Sequence, residues 1–134
     1  MGMFNSLSVS ASGMDVYKTW IDAISDNVAN VNTTRPADEE PFRARQVVAR
    51  SVEGVDGLGD GVRLEQISLS PAESQVYYDP YHPHADEFGL VQRSNVSLEN
   101  EMTNLLLANR VYGMNIRVME RAVSAYRTAL QIGR

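Results

Sequence analysis

The sequence contains no cysteine. Disulfides and thiolate metal sites are excluded, although this absence alone does not choose a compartment. No apolar run approaches the ~18 residues that span a bilayer, so direct membrane insertion is not expected. The opening stretch, MGMFNSLSVS, has neither a basic start nor a continuous apolar run, and no cleavable secretory signal is expected. Histidine is scarce: His82 and His84 share one proline-containing turn with Asp79 and Asp86. Two imidazoles with carboxylates can bind zinc, but this turn has no frame to aim both rings at one point and no third histidine exists elsewhere. A rigid surface turn is the expected role. Gly57-Leu58-Gly59-Asp60-Gly61 lacks the Lys-Ser/Thr of a phosphate loop and reads as a flexible connection. No Ser/His/Asp or Cys/His nucleophile arrangement is present. Neither catalysis nor a cofactor or metal is expected.

Charge is unevenly spread. Residues 37–101 hold most of the acids, whereas residues 102–134 hold Arg110, Arg117, Arg121, Arg127 and Arg134 against Glu120 alone. An acidic middle and a basic end can attract one another between neighbouring copies. The arginines are dispersed among buried-type residues rather than clustered, so nucleic acid is not an expected partner.

Two apolar stripes at alternating steps of three and four dominate the ends. One runs Leu7, Ser10, Met14, Tyr17, Ile21, Ile24, Val28, Val31; the other runs Leu98, Met102, Leu105, Asn109, Tyr112, Ile116, Met119, Val123, Tyr126, Leu130. This spacing keeps each set on one helix side, the seam by which helices pair. The first helix, roughly residues 4–31, is rich in serine and contains Gly13 and Asn27, all of low propensity, so its stability must come from a partner. It is expected to fray in an isolated subunit. The second helix should begin near Val96–Leu98, with Glu99 and Glu101 in its first turn, and end before Gly133. A second stripe on that helix, Leu107, Val111, Met114, Val118, Ala122, Ala125, Ala129, leaves it apolar on two sides, which one partner cannot cover.

Between the helices, residues 32–41 read as a polar loop. Phe42 to Val52 reads as a strand, Gly54 to Gly61 as a hairpin tip, and Val62 to Leu69 as a second strand with a bulge where its alternation slips. Val76-Tyr77-Tyr78 and Leu90-Val91 add short extended pieces. The expected fold is mainly α with a small β insertion. Residues 1–34 and 96–134 would pair as a coiled coil, and residues 35–95 would form a partly β, irregular middle.

Asn27 and Asn30 lie three apart on one helix face. They can terminate the helix, or register one subunit against another, because a buried amide must find a partner. Asn109 falls on a seam, where a lone asparagine can fix register and helix number.

Four blocks carry a specific likeness. Ser25-Asp26-Asn27-Val28-Ala29-Asn30-Val31-Asn32-Thr33 resembles the N-terminal signature of bacterial flagellar rod and hook proteins. Asn95-Val96-Ser97 through Glu101-Met102-Thr103-Asn104, then Arg110-Val111-Tyr112 and Asn115, resembles their C-terminal signature. Pro41 to Val48 and Tyr78 to Asp86 resemble the short proximal members of the rod family. Ser94, Ser97, Asn109 and Tyr81 depart from the usual pattern. The resemblance implies a structural subunit of the basal-body rod, the periplasmic shaft that transmits motor torque to the hook. Its partners would be copies of itself and other rod proteins, with delivery by the flagellar type III export apparatus. It also implies interface roles for Asn27, Asn30, Asn32, Thr33, Glu101, Met102, Asn109, Arg110, Tyr112 and Asn115. A different class, a cytoplasmic helical-hairpin adaptor or closed homodimer, would use the same seams.

Overall fold

The computed structural model describes residues 3–54 and 59–133. Two long helices form its ends: α1 spans Met3–Ala29 and α2 spans Leu98–Ile132. Between them lie β1 (Thr34–Arg35), β2 (Arg45–Glu53), β3 (Gly59–Leu69), β4 (Gln75–Tyr78) and β5 (Leu90–Arg93). The chain is mixed α/β, with more β structure in its middle than the small insertion expected.

Local chemistry sets the helix ends. Ser97 is the N-cap of α2, and its side chain accepts from the Asn100 N–H. Glu99 and Glu101 occupy the first turn, where the positive end of the helix dipole favours acids. At the other end the Gly133 N–H donates to the Ala129 carbonyl. α1 closes through Asn30, whose amide donates to the Asp26 carbonyl at 2.8 Å while its oxygen accepts from Thr33 Oγ1 at 3.0 Å. Asn30 and Thr33 thus help to close α1 with bonds inside the chain.

The helices lie antiparallel: Gly13 sits opposite Asn115, and Asn27 opposite Glu101. A Cβ at Gly13 would fall 2.9 Å from Asn115 Nδ2, so the missing side chain lets the two helices approach closely. Carried along, this register brings the start of α1 level with about Ala125, and α2 continues past it for about 10 Å at ~1.5 Å per residue.

α1 is a continuous helix because it has two partners, α2 on one side and the β2–β3 ribbon on the other. β2 and β3 pair antiparallel from Arg45↔Leu69 to Glu53↔Gly59. Val48 faces Gln66 but Ala49 faces Leu64, so Glu65 is an extra residue in β3, at the slip in apolar alternation. Near the far end of the ribbon, Ser12 Oγ accepts from the Val62 N–H at 3.1 Å and donates to the Val9 carbonyl at 2.8 Å. Gly61 is pressed against this point at φ +111, where a Cβ would lie 2.3 Å from Ser12 Oγ. Gly59 and Gly61 belong to β3, whereas the part of the expected flexible tip at residues 55–58 lies outside the described residues.

The second sheet has the order β1-β5-β4. Thr34 and Arg35, read from sequence as loop, pair with Arg93 and Gln92 because β5 offers them a free edge. The core is thin. Among the described residues Ala23, Ile24, Ala44, Val91, Val96 and Ala108 are the buried apolar ones, and polar Asn27 and Ser94 are buried with them. None of the described helices is long and apolar enough to cross a membrane.

Candidate assembly surface

The two terminal signatures meet in space. At the C-terminal end of α1, Asn27 is 1% exposed. Its Nδ2 donates to the Arg45 carbonyl at 2.9 Å and its Oδ1 accepts from the Arg45 N–H at 2.8 Å. The Arg45 guanidinium returns to Asp26 at 2.7 Å. From the other signature, Asn95 Oδ1 accepts from the Ala44 N–H at 2.7 Å, and Asn95 Nδ2 donates to the Ala72 carbonyl at 2.8 Å. Ser94 Oγ donates to the Val31 carbonyl at 2.8 Å. Short amide side chains thus bind otherwise unpaired backbone where α1, β2 and the entry to α2 converge, which satisfies buried polar groups no ladder reaches. Within the chain, the Asn27 amide ties the end of α1 to the start of β2.

Glu101 stands beside this junction. Burial pushes its carboxyl above the usual carboxylate range, and the neighbouring Asn27 amide draws it partly back. Its Oε2 is buried without a hydrogen-bond partner among the described residues. Asn32 is exposed and accepts a long bond from Arg93 Nη1 at 3.4 Å.

Along α2 the covered line follows the expected seam only in part. Ala108 is fully buried, and half-buried Leu105, Tyr112, Asn115 and Met119 share its α1-facing side. Asn109 is exposed. Leu105, Tyr112 and Met119 belong to the expected stripe, but small Ala108 takes the covered place beside them and Asn109 turns out, so the contact line runs along one edge of the stripe. Two exposed apolar flanks remain. Leu98, Met102, Ile116 and Val123 lie on one side of the covered edge, and Leu107, Met114 and Val118 on the other. Arg110 is exposed on the side away from α1. Of the sequence-derived site residues, Asn27, Asn30, Asn32, Thr33 and Glu101 gather at the junction. Tyr112 and Asn115 face α1, and Met102, Asn109 and Arg110 point outward. Ser12, Gly13, Asn95 and Arg45 were not singled out from sequence as site residues; Asn95 stands in the C-terminal signature block, whereas nothing in the pattern marks Ser12.

His82 and His84 build a bonded turn. The His84 N–H donates to His82 Nδ1 at 3.0 Å, and His84 Nδ1 lies 2.9 Å from Thr34 Oγ1. Among the described residues no group of three or more His, Cys, Asp or Glu side chains could hold a metal.

Known proteins match this chain. The family model described as flagellar basal body rod FlgEFG protein C-terminal matches residues 89–132, which hold β5 and α2. The flagellar basal-body rod protein FlgC of Borreliella burgdorferi is 34% identical, with 98% of each chain covered. The protein of the same description from Bacillus subtilis is 31% identical over 100% of both chains, and that from Escherichia coli is 28% identical over 99% of both. With full-length relatives above 30% identity and a core signature folded into one junction, the chain belongs to the FlgC family of flagellar basal-body rod proteins.

Proposed function

We propose that the chain is a structural subunit of the proximal rod, acting by association with copies of itself and with other flagellar rod proteins. The observation that carries this reading is the pair of exposed apolar flanks on α2, beside an edge that α1 already covers. Burial of such flanks is worth ~25 cal/mol per Å², and neighbours in an assembly supply it where the chain cannot. Residues 1–34 and 96–134 form an inner coiled-coil layer, and residues 35–95 an outer one. The work is mechanical: torque passes through many burial contacts acting together, without catalytic chemistry. The rod lies in the periplasmic space, and delivery through the flagellar type III export apparatus suits a first helix whose low intrinsic propensity makes it depend on packing rather than on its own sequence.

Imaging basal bodies from a deletion strain tests this. Rods should be lost at their base and return when the gene is restored; intact rods without the protein would refute it. A cytoplasmic adaptor or closed homodimer would instead give a stable two-copy species in dilute solution, which two-sided flanks do not favour.

A further inference from the structure

Glu101 and Arg110 each lack something that the other supplies. Glu101 Oε2 is buried and unpaired. The Glu101 side chain borders a cleft that Trp20, Asn95, Ser97, Asn100 and Asn104 also line. The cation already at that cleft, Arg45, is committed to Asp26. Arg110 is exposed, and among the described residues it has no ion pair. Its neighbours one helical turn away are Leu106, Leu107, Gly113 and Met114, and the three larger ones are all exposed. A guanidinium ringed by exposed apolar side chains has the make-up of an interface anchor, desolvated and then paired when a partner covers it.

The two groups cannot meet within one chain. Nine residues separate them along a straight helix, about 13 Å at ~1.5 Å per residue, and they leave it on opposite sides. Resting on the assembly reading above, we propose that Arg110 of one copy enters the cleft of the next and pairs with the Glu101 carboxyl. The contact joins different patches of the two molecules, so it leaves each copy with one unfilled cleft and one unfilled arginine. It therefore propagates from copy to copy instead of closing on a pair.

The absence of cysteine gives a clean background for a test. Asn104→Cys with Leu106→Cys in one chain places one thiol in the cleft and one beside Arg110, on different sides of α2, where they cannot bridge within a copy. Mild oxidation of purified basal bodies should give a ladder of linked copies extending beyond the dimer. Adding Glu101→Gln or Arg110→Gln should each weaken the ladder at least tenfold, and the two together should do no more than either alone. Thermal melts of the dilute variants check that each still folds. Basal bodies that contain the chain yet give no ladder, or a ladder stopping at two copies, would overturn the pairing while leaving the rod assignment intact. Equal ladders with and without the charged pair would overturn it as well. Basal bodies lacking the chain altogether would overturn both.

Discussion

Asn27 and Arg45 exchange a complete pair of hydrogen bonds, the Asn27 amide standing to the Arg45 backbone as one strand residue stands to another. A helix is thereby stitched to the first residue of a strand by one side chain. Asn27→Ala leaves the Arg45 N–H and carbonyl without these partners, so the chain should lose about 1–3 kcal/mol of stability. Urea unfolding followed by circular dichroism would measure it; an unchanged midpoint would show that water replaces the amide at no cost.

Gly61→Ala should be the most damaging single methyl in the ribbon. At φ +111 a side chain is strained, and the added carbon would collide with the Ser12 hydroxyl that binds Val62. A loss of about 1–3 kcal/mol is expected from the backbone strain. Ser12→Ala should cost less, about 1 kcal/mol, because it forfeits one hydrogen bond without strain. If the order of the two variants were reversed in chemical denaturation, the close approach of ribbon and helix would be misplaced.

Stability should respond to Glu101 in the direction set by its burial. Its folded-state pKa is raised from 4.5, so the native protein holds this proton at pH values where the unfolded chain has released it. The stability from this group is full below the unfolded value and falls as pH rises through the raised native value. Glu101→Gln should remove that decline, giving a flatter profile of melting temperature against pH on the alkaline side of 4.5. A profile as steep in the variant would assign the decline to other carboxylates.

Ending the chain after Arg127 removes the last turn of α2, beyond the start of α1. Fold stability should change by less than about 1 kcal/mol, since exposed helix ends contribute little. Recovery of the chain in basal bodies should nevertheless drop sharply. Normal incorporation of the shortened chain would show that the extension is not an assembly surface.

Much of this architecture was legible in the residues. Glu99, Glu101 and Gly133 set the bounds of α2, and the switch of apolar alternation between Leu64 and Ile67 marked the bulge at Glu65. What periodicity could not give was rotation. The stripe and the covered edge share Leu105, Tyr112 and Met119 but part at Asn109 and Ala108, and that choice depends on how closely α1 can come, to which Gly13 contributes from across the interface. The two-residue strand at Thr34–Arg35 was hidden for a similar reason: its ladder partner lies in β5, far along the chain. The junction was only half visible. Asn27 and Asn95 carry amides of the right kind, but each binds backbone donors and acceptors of whatever residue folds beside it, and backbone leaves no trace in composition.

The β2–β3 ribbon is fastened to α1 at Asn27 and again at Ser12. Fifteen residues of helix separate those points, a lever arm of about 22 Å at ~1.5 Å per residue. A ribbon held once would swivel about its attachment; held twice, it can neither yaw nor slide. Load applied to the outer ribbon must therefore be shared with the helix beneath it, as a splint shares load with the limb it is bound to.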